Sequence, residues 1–232
     1  MAEASRLSIF VTGTDTGVGK SLFSAALLHA LALHHRRVVG MKPIAAGTEL
    51  FDGVLANDDV LALRAASTIT VPTALDNPVL LHDPVSPHIA AQRAGVTIDI
   101  AHIADCHRQL TALADAVVVE GAGGFMVPLS PQHTGADLAQ ALGLPVVLVV
   151  GLRLGCLNHA LLTAQAIRAC GLSLAGWVAN HMEPTMLAQQ DNIAFLQQQL
   201  AVPLLATIPY MPQPQAHQVV VDLPHGWTQA GS

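Results

Sequence analysis

Between Gly13 and Ser21 the sequence reads Gly-Thr-Asp-Thr-Gly-Val-Gly-Lys-Ser, with an apolar run before it and a helix-forming stretch after it. Glycines let a loop turn its backbone N–H groups towards one anion, and a following helix adds its positive end. A lysine at that place neutralises charge between two phosphates, and the hydroxyl beside it is placed for Mg²⁺. Strand, Gly-rich loop, Gly-Lys-Ser and helix together predict a phosphate-binding loop, with Lys20 on the β- and γ-phosphates and Ser21 on the metal. The pattern departs from the commonest form, because Thr14 holds the usual first-glycine position and Gly13 sits one residue earlier. An ordinary glycine turn would leave Lys-Ser at the helix start unexplained.

Lysine is otherwise scarce. Of ten basic residues eight are arginines, and the only lysines are Lys20 and Lys42. Biased codon usage is one explanation; the need for a compact, mobile ammonium at two places is the other. Lys42 lies in Gly40-Met-Lys-Pro-Ile-Ala-Ala-Gly-Thr48, at the carboxyl end of an apolar run. A lysine there, on the rim that carries the phosphate loop, can stabilise a phosphoryl group in transfer; the alternative is a solvated lysine at a strand end. Ala116-Val-Val-Val-Glu120 ends in Gly121-Ala-Gly-Gly124. An acid closing a buried apolar strand is costly unless it meets a cation, which makes Glu120 a candidate metal ligand. Asp59, in Asn57-Asp58-Asp59, is either a second carboxylate on the metal or an acid favoured in a first helical turn; the residues leave both readings open.

These side chains need a frame. Apolar runs of strand length are expected at Leu7–Thr12, Arg37–Lys42, Ala116–Glu120, Pro145–Val150, Leu174–Ala179 and Pro203–Ile208. Helices are expected at Ser21–His34, Asn57–Ala66, Ser86–Arg93, Asp99–Ala114, Thr134–Leu142, Asn158–Cys170 and Thr185–Leu200. Continuous apolar strands alternating with helices imply an α/β fold, a mostly parallel sheet of about seven strands covered on both faces. Ligands of such sheets bind at the carboxyl ends of the strands, where both lysines fall. No repeat or linker divides the chain, so one domain is expected over residues 1–232, with a Pro/Gln-rich tail beyond Pro209 that wraps the surface or frays.

Composition excludes other classes. The chain is 52% hydrophobic, which rules out disorder, while 11% charge leaves a sparse surface that a second copy of the chain could cover. A net charge of −6 without a basic run gives no nucleic-acid footprint. The N-terminus lacks the apolar stretch of a signal peptide, no segment reads as a membrane span, and three cysteines without ligand-like spacing fit a reducing cytoplasm. His29, His34 and His35 are read as exposed polar positions, and Trp177 and Trp227 as packing residues. No Gly-x-Ser-x-Gly marks a hydrolase elbow, and Gly121–Gly124 is too short for a dinucleotide fingerprint.

Taken together, Gly13–Ser21, Lys42-Pro43, Ser86-Pro-His88, Val119–Gly124, Gly151–His159, Ala175–Asn180 and Ile208-Pro-Tyr210 resemble the dethiobiotin synthetase family in sequence and order. The resemblance spans about residues 7 to 210. It implies a P-loop NTPase fold and the Mg·ATP-dependent closure of 7,8-diaminononanoate and CO₂ into dethiobiotin. It also implies that Gly17, Val18, Gly19, Lys20, Ser21 and Leu22 hold ATP, with Gly121, Ala122 and Gly123 near it. Asn180, Ile208, Pro209 and Tyr210 match adenine-binding positions, and Ser21, Asp59 and Glu120 match Mg²⁺ ligands. Lys42 matches the catalytic lysine, assisted by Lys20. Thr16, Thr48 and Ser86 fall at substrate positions. Gly155, Cys156 and Asn158 match the helix start that receives the substrate carboxylate across a homodimer interface.

Departures accompany the likeness. Ala46 stands where the family often has a serine, so Thr48 or water must supply that contact. Val85 replaces a polar residue, Ser21 a commoner threonine, and His181 a position where an acid can occur. Two alternatives fit less well. A P-loop amidoligase needs a glutaminase region for which the chain has no room. A partitioning-type ATPase switch with a protein or DNA partner carries a lysine at the position of Asp15.

Overall fold

Strands that are apolar on every residue can be buried only if helices cover both faces of their sheet, and the chain folds that way. The computed structural model describes residues 6–51 and 53–229; the reading of the N-terminus as free of a signal peptide falls mostly on residues outside them. In chain order β1 (Leu7–Gly13) leads into α1 (Lys20–Ala32) and β2 (Val38–Met41). Short strands β3 (Ile44–Ala46), β4 (Glu49–Phe51) and β5 (Val54–Ala56) precede α2 (Asp58–Ala66). Then come the single turn α3 (Thr73–Asp76), β6 (Val79–Leu81), α4 (Pro87–Ala94), α5 (Ile100–Leu113) and β7 (Ala116–Glu120). The chain ends its regular part with α6 (Gly135–Leu142), β8 (Val146–Leu152), α7 (Cys156–Ala169), β9 (Leu174–His181), α8 (Gln189–Leu200) and β10 (Leu204–Ile208).

The central sheet is parallel, in the order β10-β9-β8-β1-β7-β2, and has six strands among the described residues instead of about seven. The reason lies at Lys42-Pro43. Proline has no N–H for the ladder, and the chain leaves the sheet there. The next strand, β3, pairs with β6 in a separate two-stranded sheet, and β4 pairs with β5 as a hairpin. Successive residues of β7 face opposite sides: Val117 and Val119 pack with α5 to α8, Ala116 and Val118 with α1 and α2. Local chemistry sets the helix starts. Asn57 caps α2, Asp99 caps α5, Pro87 opens α4, and Thr134 with Asp137 forms a capping box at α6.

The tail wraps. Beyond Pro209 it makes two short 3₁₀ turns, Ala216–Gln218 and His225–Trp227, and lays Met211, Val219, Val221 and Leu223 against the α1 side of the core. The Asp222 N–H donates to the Leu205 carbonyl (2.8 Å), and the His35 Nε2 donates to the Trp227 carbonyl (2.8 Å). His35 is therefore buried, unlike the exposed His29 and His34, because the tail covers it. Among the described residues no helix is long and apolar enough to cross a membrane.

Candidate active site

The carboxyl ends of β1, β2 and β7 meet beside the start of α1, and four side chains close on one another there. Lys42 Nζ donates to Glu120 Oε1 at 2.5 Å and to Asp59 Oδ2 at 2.8 Å. The Ser21 hydroxyl lies 2.8 Å from the same Glu120 oxygen and 2.5 Å from Asp59 Oδ1. Lys42 is 4% exposed and Glu120 wholly buried. Burial alone would push the Lys42 ammonium down, but Glu120 and Asp59 outweigh it and hold its pKa above the ordinary value. Burial likewise favours the neutral form of Asp59, and Lys42 with the Ser21 hydroxyl overcomes that and lowers it.

Each member is positioned by its own element. The Lys42 N–H donates to the Asp76 carbonyl (2.8 Å) and its carbonyl accepts from Asn77 Nδ2 (2.7 Å), so its backbone is gripped on both sides. Asp76 is itself fixed by a two-point pair with Arg64, at 2.6 and 2.7 Å. The Asn57 cap orients the first turn of α2 and thereby Asp59, while its amide donates to the Gly47 carbonyl (2.7 Å). Neither Arg64–Asp76 nor Asn77 carries a signal in the sequence that ties it to Lys42.

The Gly-rich loop lies beside this cluster. Gly17 and Gly19 take positive φ angles of 73° and 94°, and a Cβ on Gly19 would stand 2.2 Å from Asn180 Nδ2. Asn180, at the end of β9, donates to the Val18 carbonyl (2.9 Å), so the predicted adenine position is joined directly to the loop. Lys20 turns back and donates to the Asp15 carbonyl (3.0 Å); its burial and the nearby Lys42 charge lower its pKa to about 8. A cavity of about 200 Å³ lies beside Gly17, Leu22, Asn180, Pro209 and Tyr210. It brings together six of the thirteen expected nucleotide residues, Gly17, Gly19, Leu22, Asn180, Pro209 and Tyr210, with Met182, Met211 and Pro214 added from segments the sequence did not single out. Gly121 is tied to β1 by an N–H bond to Val11 (2.9 Å), and a Cβ on Gly123 would lie 3.5 Å from Thr16 Oγ1.

Other predicted positions stand further out. Thr48 Oγ1 meets His82 Nδ1 at 2.9 Å, and Ser86 Oγ meets His88 Nδ1 at 3.1 Å, both beside the β3–β6 pair. Gly155 caps the start of α7 with Cys156 buried behind it and Asn158 exposed, after the carboxyl end of β8. None of these five hydrogen-bonds to the Lys42 cluster among the described residues.

The donor set suits Mg²⁺. That ion takes one or two carboxylates and leaves its other positions to phosphate oxygens and water. Ser21, Asp59 and Glu120 offer a hydroxyl and two carboxylates, and Glu120 Oε2 is buried with no hydrogen-bond partner. A buried unpaired carboxylate oxygen is costly unless a cation completes it. Among the described residues no three His, Cys, Asp or Glu side chains form an all-protein metal cage.

A parallel sheet whose first strand passes through a Gly-Lys-Ser loop into a helix defines a P-loop nucleotide-binding protein. Solved structures share that fold. The signal recognition particle receptor FtsY from Elizabethkingia anophelis, in complex with GDP, superposes with a TM-score of 0.56 at 14% identity, covering 97% of this chain and 62% of that one. A ParA family ATPase from Chlorobium tepidum TLS gives 0.54 at 16%, covering 90% and 86%. The profile of the family described as an AAA domain matches residues 8–218. The ATP-dependent dethiobiotin synthetase BioD of Ralstonia nicotianae is 56% identical over 211 residues, 91% of this chain and 92% of the relative. The chain belongs to the dethiobiotin synthetase family.

Proposed function

We propose that the protein makes dethiobiotin from 7,8-diaminononanoate, CO₂ and ATP, as one catalytic domain over residues 1–232 working in a cytoplasmic homodimer. The reading is carried by the convergence of Lys42, Asp59, Glu120 and Ser21 beside the Lys20 loop. Gly17–Leu22 bind the ATP phosphates, with Gly121, Ala122 and Gly123 alongside, and Asn180 with Ile208, Pro209 and Tyr210 receives adenine. Mg²⁺, held by Ser21, Asp59 and Glu120, supplies charge neutralisation at the phosphate oxygens when bound.

One substrate amine adds to CO₂ and loses a proton, giving a carbamate. A carbamate oxygen attacks the γ-phosphorus, its O–P bond forming as ADP leaves. The second amine attacks the carbamoyl carbon, expels phosphate, gives up one proton to the solvent and closes the ring. No protein nucleophile is required. Negative charge gathers first on the carbamate and then on the transferring phosphoryl group. The Lys42 ammonium, held charged by its two carboxylates, serves both, and Lys20 serves the leaving phosphates. Thr16, Thr48 and Ser86 orient the diamine, and the partner's α7 start, at Gly155, Cys156 and Asn158, receives its carboxylate. Leu154 and Leu162, large apolar side chains left 98% and 57% exposed around that helix, support a second copy as their cover.

The test is direct. Purified protein given Mg·ATP and bicarbonate should release phosphate only when diaminononanoate is added, with dethiobiotin formed in equal amount. Equal ATP turnover without the diamine, stimulated instead by DNA, would replace this reading with the switch-ATPase one.

A further inference from the structure

Asp15 and Arg153 have no part in the reading above, yet they meet from 138 residues apart: Arg153 Nη2 donates to Asp15 Oδ2 at 2.5 Å. Both side chains are about half exposed, at 45% and 49%, and an exposed pair of this kind adds little to stability. Its interest lies in what each residue holds at its other end. Asp15 Oδ1 accepts the Thr16 N–H (2.8 Å), and the Asp15 carbonyl accepts Lys20 Nζ (3.0 Å). The Arg153 carbonyl accepts the Cys156 N–H (3.0 Å), closing the turn from which α7 starts at Gly155, whose φ is 95°. One ion pair therefore joins the backbone that holds Lys20 to the backbone that sets the first turn of α7.

The two segments are in contact elsewhere as well. The Thr14 N–H donates to the Val149 carbonyl (3.1 Å), and a Cβ on Gly151 would approach Val18 Cγ1 to 3.0 Å. Those contacts lie at the β8 end of the connection. Among the described residues the Asp15–Arg153 pair is the side-chain bond that reaches its α7 end.

We infer that Asp15 and Arg153 are positioning residues that couple occupancy of the phosphate loop to the α7 end that receives the substrate carboxylate. The inference rests on the function proposed above. In that homodimer each α7 serves the partner's substrate, so the pair ties the nucleotide of one site to the diamine of the other. When phosphates draw Lys20 off the Asp15 carbonyl, the loop at Asp15 resettles and Arg153 transmits the change to Cys156. Coupling of this kind is reciprocal between the two ligands. The contact is through a single guanidinium nitrogen, so a lysine ammonium can reproduce it, whereas a methionine of similar length cannot.

Calorimetric titration of full-length dimer with 7,8-diaminononanoate, with and without a non-hydrolysable ATP analogue and Mg²⁺, measures the coupling. In the unmodified protein the analogue should tighten diamine binding by about fivefold or more. Arg153→Met should bring that ratio down to about one, Asp15→Asn should do the same, and Arg153→Lys should restore most of it. All three variants should melt within about 2 °C of the parent, as expected for an exposed pair. A ratio in Arg153→Met and Asp15→Asn equal to the parent's overturns the clasp and leaves the proposed function standing. A parent protein that binds no diamine under either condition overturns both.

Discussion

Lys20 and Lys42 share one rim of the sheet and are almost equally inaccessible, yet their surroundings treat them in opposite ways. At Lys20 burial and the Lys42 charge prevail over Glu120, Asp59 and Asp15, and the pKa falls to about 8. At Lys42 the same burial is outweighed by two carboxylates in direct contact, and the pKa rises. Among the described residues Lys20 is held only by a loop carbonyl, Lys42 by a cage anchored in α2 and β7. In the proposed reaction, the cation that follows an incoming anion is the loosely held one, and the cation that waits for transient charge is the one held in place.

The largest expected effect breaks the Lys42 side. Lys42→Gln should lower turnover by about 10³-fold, some 4 kcal/mol of transition-state stabilisation, while ATP affinity changes by less than about threefold. Steady-state kinetics and equilibrium binding separate the two quantities. Next, Lys20→Gln should weaken ATP binding by about 10²-fold, the loss of a charge-assisted contact to phosphate. Comparable losses of ATP binding in both variants would refute the division of labour.

The smallest effect sharpens the Lys20 side. Its folded pKa of about 8 lies below its ordinary 10.5, so between those values the unfolded chain binds more protons than the folded one. Its contribution to stability is therefore fully present above 10.5 and is lost as pH falls through about 8. Urea midpoints of nucleotide-free protein at about pH 8 and about pH 10 should show this rise, and Lys20→Gln should flatten it. A slope unchanged by the substitution would mean that Lys20 is not depressed.

How far the sequence foretold this arrangement depends on length and locality. Ala116–Glu120 is found with the bounds its apolar run predicted, because a fully buried strand carries its own signal. The six sheet strands and the loop between β1 and α1 were legible for the same reason. Strands β3 to β6 were not: three residues are too few for a period to show. Helix α8 starts at Gln189 and not at Thr185, after Ala188 with a positive φ of 55°, which nothing in an alanine announces. Asp59 shows the limit most clearly. Its sequence position suited a metal ligand and a helix start equally, and α2 puts it at a helix start within reach of Lys42 and Ser21. Arg64–Asp76 and Asp15–Arg153 bridge separate segments, and no spacing rule connects them.

The tail that packs on α1 has a practical consequence for spectroscopy. The chain's two indoles sit in different places: Trp177 within the central sheet, Trp227 near the end of the wrapped tail, next to the bond from His35 to its carbonyl. A red shift in tryptophan emission therefore has two sources, release of the tail and opening of the sheet. Replacing Trp227 by phenylalanine leaves a fluorophore that reports the sheet alone, and the difference between the two proteins' emission reports the tail.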